Sequence, residues 1–170
     1  MRRPEPTEYP DFYADYTKLV PDEDILKVLS RQPAEMRTIF AGVPEHLGSF
    51  AYDAEKWTVK QVLGHILDTE RILAYRLLRI ARGDQKPLEG FEQDDYIEHG
   101  RFNSRTIDDL IGEFELIRKA NMSLMENLNE DDFSRQGTAN NNRFTARAIA
   151  LIMAGHVRHH LGILESKYLT

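Results

Sequence analysis

The chain contains no cysteine. That absence excludes disulfides, thiolate metal sites and a cysteine nucleophile at once, so any transition metal here must sit on imidazole and carboxylate. A surplus of basic charge is lacking too: 22 Lys and Arg stand against 28 Asp and Glu, a net charge of −6 (22 minus 28). Proteins that live on nucleic acid need the opposite balance to displace counterions from phosphates, so no nucleic acid is expected as partner. Nowhere do the roughly 18 consecutive apolar residues of a membrane span occur, and no membrane partner is expected. Residues 1–20 open with two Arg but lack the apolar core of a secretory signal, which makes the cytosol the expected compartment. No stretch of useful length alternates apolar and polar residues as a half-buried strand would.

What remains is a chain of 170 residues, 41% apolar and 29% charged, suited to one globular domain spanning 1–170. Its first 20 residues hold three Pro and four Tyr or Phe, so residues 1–21 read as an extension that packs over the body. After Pro21 the spacing turns helical, with Ile25, Val28, Leu29, Met36, Ile39, Phe40 and Val43 on one face. Pro33 falls inside this first helix and is expected to kink or split it. A second helix opens at Thr58, where Gln61 completes a capping box and Trp57 and Val62 form a hydrophobic staple, and it closes near Arg82-Gly83. A third runs from Thr106 through Leu128. A fourth runs from Thr145 to about Lys167, after a polar loop ending in Thr138–Asn142. The architecture is all-α, a four-helix bundle. Residues 83–105 show no convincing period, and a connection that long usually serves function or crosses the length of the fold.

Of the six His, His156 and His160 lie one turn apart in the fourth helix, about 40° apart around its axis. They share that face with Ile149, Ile152, Met153 and Ile163, the buried stripe. Two inward imidazoles at i, i+4 can chelate one divalent ion. His159 stands at the margin of the same face. A site in a bundle needs a ligand from another helix, and His65 is the only His in the first three. At ~1.5 Å rise per residue, His65 lies about 10 Å inside the second helix. His160 comes level with it, at about 12 Å, only if the second and fourth helices are antiparallel. That arrangement favours an up-down-down-up order, with 83–105 as the long crossover between helices two and three. Asp68, one turn beyond His65, could orient its ring or supply an oxygen ligand. His46 and His99 fall in loops and read as solvated, as do Asp94 and Asp95. Arg71, Arg76 and Arg79 read as a solvated basic flank, or as partners of the acidic connection. Met122, Met125 and Met153 read as core.

Several of these stretches carry a resemblance: Trp57-Thr-Val-Lys-Gln-Val-Leu-Gly-His65-Ile-Leu-Asp68-Thr-Glu70, Arg82-Gly-Asp84, Phe91-Glu-Gln-Asp-Asp-Tyr96 and Ala154-Gly-His156-Val-Arg-His159-His160-Leu. Together they resemble the DinB-like superfamily of bacterial four-helix bundles over about residues 22–168. The resemblance implies a left-handed up-down-down-up bundle, frequent homodimers and one divalent metal, zinc or nickel. By position it implies His65, His156 and His160 as metal ligands. Val157-Arg158 departs from the pattern of many relatives, which have Glu and an apolar residue there.

Three neutral imidazoles would leave the metal its charge and an open position for water or substrate. By analogy with superfamily members that transfer low-molecular-weight thiols, the expected activity is a thiol-dependent S-transfer, with Asp68 and His159 orienting ligands or moving protons. The alternatives are a metal-dependent hydrolase using activated water, and a non-catalytic, stress-related metal-binding bundle. The fourth helix is also apolar on its far side, at Ala150, Leu151, Ala154, Val157 and Leu161, which asks for a homodimer or a cover from the N-terminal segment.

Overall fold

The computed structural model describes residues 1–169. In chain order it contains α1 (Ala14–Thr17), α2 (Ile25–Ile39), α3 (Val59–Ala81), α4 (Gln93–His99), α5 (Ile107–Met125), α6 (Glu130–Ser134), a hairpin of β1 (Gln136–Ala139) and β2 (Asn142–Thr145), and α7 (Ala146–Ile163). The bundle consists of α2, α3, α5 and α7. Both α5 and α7 pack against α2 and α3.

Local sequence explains where these helices begin. The Thr58 hydroxyl accepts from the Gln61 amide at 3.2 Å while the Gln61 side chain takes the Thr58 amide at 2.8 Å. Thr106 and Thr145 cap α5 and α7 by accepting from the amides of Asp109 and Ala148. Such caps satisfy amides that have no partner inside the helix.

Pro33 neither ends nor splits α2. A proline inside a helix cannot donate to the carbonyl four residues back, here Leu29. The guanidinium of Arg118 on α5 donates to that carbonyl instead, Nη1 to O at 2.9 Å. The same Arg118 grips the Glu70 carboxylate on α3 with two bonds, 2.7 and 3.0 Å, and donates to the Gln32 side-chain oxygen at 2.6 Å. Gln32 then donates to the carbonyl of Ala154 on α7 at 2.7 Å. One buried polar cluster therefore touches all four long helices.

Two segments read as loops are structured. β1 and β2 pair antiparallel with Ala139 opposite Asn142, and both turn residues, Asn140 and Asn141, have positive φ, as a tight two-residue hairpin requires. The connection 83–105 contains α4 and a 3-10 turn at Phe102–Ser104. Its first part is pinned to the hairpin through Leu88 N to Thr138 O, 2.9 Å, and Asn140 N to Leu88 O, 2.8 Å. The last helix ends at Ile163 and continues as a π-helical turn, Leu164–Tyr168.

The far side of α7 is covered within the chain. Ala150, Leu151, Ala154 and Val157 are at most 1% exposed. On that side the Tyr16 carbonyl approaches Gly155 so closely that a Cβ there would overlap it. Glu8 meets Arg147 through two bonds of 2.6 and 2.8 Å. Among the described residues no helix is long and apolar enough to cross a membrane.

Removing one member of the central cluster leaves a buried charge without its counterion. Glu70→Ala should lower unfolding free energy by about 3–5 kcal/mol in urea denaturation. Removing Glu23, the exposed partner of Arg31, should change it little.

Candidate metal centre

His65 follows Gly64 on α3, and the Phe102 ring lies where a Gly64 side chain would be. Phe102 thereby closes that side of the helix and leaves His65 facing inward. On α7, Gly155 plays the matching part: the Tyr16 backbone packs on it, which sets the Tyr16 ring edge-on to His156 at 5.7 Å and to His159 at 4.8 Å. Trp57 covers His65, ring centroids 4.9 Å apart. Tyr168 holds Trp57 in turn by donating from its hydroxyl to the Trp57 carbonyl at 2.7 Å.

The helical phase of α7 and the level of α3 bring His65, His156 and His160 together. One ligand atom from each lies within 4.8 Å of the others. The Nε2 atoms of His65 and His156 are 3.0 Å apart. Nε2 of His160 is buried and has no hydrogen-bond partner among the described residues. A buried nitrogen without a partner is costly, and one ion between the three rings would serve all of them. The donor set suits a divalent cation of intermediate softness such as zinc.

Burial disfavours the charged form of each ring. It holds His65 down to about 4 although Asp94 pulls the other way. Burial, with His65 and His159 nearby, brings His160 down to about 3. His156, buried, falls well below the usual 6.5 for the same first reason, helped by the three neighbouring imidazoles. All three are neutral at pH 7, so their lone pairs are free to bind a cation.

The other sequence candidates stand apart. His159 is half-buried and stacks edge-on against Tyr16 and His160, the latter at 5.0 Å. Asp68 lies 3.8 Å from Arg71 and hydrogen-bonds to none of the three rings, and burial raises its pKa. His46 and His99 are exposed, the latter bonded through Nδ1 to the Asp95 carbonyl. Asp94 is exposed but lines a cavity that reaches His160 and Trp57. Arg79 pairs with Asp84 of the connection 83–105, as expected, whereas Arg71 pairs with Glu113 on α5. Arg76 corrects the expectation of a solvated flank: it is 5% exposed and its Nη2 donates to the Glu89 carbonyl at 2.7 Å.

A cavity of about 280 Å³ opens on His65 and His156, walled by Tyr13, Tyr16, Thr69, Arg76 and Phe91 among others. The sequence assigned none of these five to a site. Thr69 and Arg76 carried a weak signal, lying four and eleven residues after His65 and so on its face of the helix.

A family model described as DinB superfamily matches residues 29–164. Among solved structures, YfiT from Bacillus subtilis, described as a probable metal-dependent hydrolase with an unusual four-helix bundle topology, superposes with a TM-score of 0.74. The match covers 84% of this chain and 87% of that one at 16% identity, a likeness of fold. No curated protein matches the sequence.

The depressed ring pKa values link stability to pH. Between about 6.5 and about 4 the unfolded chain binds more protons than the folded one. Chelator-treated protein should therefore lose thermal stability as pH falls through that window. His160→Gln, with one such ring fewer, should show a shallower slope in the same melts.

Proposed function

The chain belongs to the DinB superfamily, and from that premise we propose that it is a metal-dependent hydrolase whose divalent ion is held by His65, His156 and His160. One observation carries this reading: three neutral imidazoles converge, two of them, His65 and His156, at the wall of an open cavity, and the third, His160, with an orphaned buried Nε2. Bound there, the ion would keep its charge and an open position, and would supply Lewis acidity toward a water or a thiol.

The chain's own residues supply the rest. Trp57 and Tyr16 cover the rings of His65 and His156 and limit solvent to the cavity side. His159, half-buried beside His160, is the group placed to pass a proton between the site and solvent. Asp68 orients no ring directly, and any effect it has runs through α3. Hydrolysis is taken as the reaction class because YfiT, which has this fold, carries that description.

An up-down-down-up order, with 83–105 as the crossover, belongs to the same reading. Two sets of contacts support it. Gln32 with Ala154 and Glu35 with Arg158 advance together along α2 and α7. Trp57 with Tyr168, just before α3 and just after α7, and His65 with His156 within them, run in opposite senses.

Elemental analysis of the purified protein should find about one divalent ion per chain. His156→Ala/His160→Ala should lose it while remaining folded. Full occupancy in that variant would refute the site. A panel of esters and amides, run against low-molecular-weight thiols with a generic electrophile, should show chelator-sensitive hydrolysis. Turnover only in the thiol arm would replace hydrolysis by S-transfer.

A further inference from the structure

Three arginines are buried among the described residues: Arg76, Arg118 and Arg147. Arg118 has the Glu70 carboxylate at 2.7 Å and Arg147 has Glu8 at 2.6 Å. Arg76 is 5% exposed, yet it forms no salt bridge with any described residue. Its one hydrogen bond, from Nη2 to the Glu89 carbonyl, leaves the rest of its N–H groups without a protein acceptor. An isolated buried charge is among the most costly things a fold can hold, and arginine cannot escape by losing its proton.

The side chain is not sealed off: it forms part of the wall of the 280 Å³ cavity that reaches His65 and His156. Thr69, 7% exposed and also in that wall, has a buried hydroxyl oxygen with no hydrogen-bond partner among the described residues. A cation with no carboxylate partner and a hydroxyl with no hydrogen-bond partner thus border one cavity. The remaining lining is aromatic and aliphatic apart from Glu92 and Gln93, which are exposed. Burial raises the pKa of Tyr13, against the opposing pull of Arg76, and raises that of Tyr16. Both phenols therefore stay protonated at neutral pH, and neither neutralises the guanidinium.

We propose that this cavity binds a small organic anion, its carboxylate seated on Arg76 beside Thr69 and its apolar body between Leu73 and Phe91, directed toward His65 and His156. A guanidinium fork matches a carboxylate with two parallel bonds, and the enclosure strengthens both. Arg76 and His65 are eleven residues apart on α3, about 16 Å along the axis, and the Arg side chain leans back toward the helix N-terminus. The carboxylate therefore sits toward the Arg76 end of the cavity, and the two imidazoles that line it, His65 and His156, toward the other. The proposal rests on the reading above only in taking the same cavity as the substrate site.

The test uses the full chain, with and without chelator, titrated calorimetrically with benzoate and with its neutral counterpart benzamide. Benzoate should bind about ten-fold or more tightly than benzamide in both arms, because the charge-assisted pair with Arg76 is available to benzoate alone. Arg76→Met should erase that preference, and Thr69→Val should weaken benzoate by about three-fold. The wild-type comparison stands even where Arg76→Met fails to fold. Equal affinity for the two probes, no benzoate binding, or unchanged preference in a folded Arg76→Met would overturn the proposal. Benzoate binding that disappears with chelator and ignores Arg76 would place the carboxylate on the ion, which overturns the proposal while supporting the metal. Arg76-dependent binding in a chain that takes up no ion would leave the proposal standing and refute the metal reading.

Discussion

The grip of Arg118 on Glu70, Gln32 and the Leu29 carbonyl is the constraint on which the rest of the molecule hangs. Apolar packing alone tolerates sliding of one helix past another, because leucine and isoleucine surfaces fit in several registers. A buried guanidinium does not, since every misplaced donor is left without a partner. Glu70 is five residues from His65, and Ala154, where the cluster ends through Gln32, is two residues from His156. The cluster thus fixes the height of α3 against α7 at the level where the imidazoles must meet. It also rescues the carbonyl that Pro33 leaves bare, so the proline and the arginine form one unit.

Around that frame the protein keeps two kinds of unsatisfied polarity in one place. The imidazoles offer lone pairs with no donor to meet all of them, Thr69 has a hydroxyl with no partner, and Arg76 has a single carbonyl and no carboxylate. Elsewhere the buried cations are matched, Arg118 by Glu70 and Arg147 by Glu8. Native interiors leave few polar groups unmatched, and here two of them, the Thr69 hydroxyl and His160 Nε2, belong to the site and its cavity wall. The favourable terms that hold this arrangement lie outside it, in the apolar faces of α3 and α7 and in the network below.

What was legible in the sequence was what depends on short spacing. Thr58 with Gln61, Thr145 before α7, and His156 with His160 are all settled within one helical turn, and each appears in the structure. The family resemblance, carried by the same stretches, is confirmed by the match over residues 29–164. The hairpin escaped notice because four-residue strands are too short to show alternation, and Asn140-Asn141 signals a tight turn less strongly than Asn-Gly. α4 has seven residues, less than the span over which a 3.6-residue period becomes visible. For Arg76, which does bond to the connection at Glu89, the solvated reading fails for another reason. Charge is normally assigned to the wet side of a helix, but the connection at Glu89 and Phe91 folds over that side, and nothing local to α3 announces it. Tyr13 and Tyr16 reach the cavity from the opposite end of the chain, a meeting that no pattern of spacing encodes.

His65 and His156, whose ring nitrogens touch, are 91 positions apart along the chain. On a ribosome the amino end emerges first, so Tyr16, His65 and Arg76 leave the exit tunnel well before α7 has been made. During that interval the nascent bundle lacks two of its three imidazoles and the helix that shields its core. The three imidazoles therefore come together only once α7 has joined the earlier helices, and a chain that lacks α7 keeps His65 alone of the three.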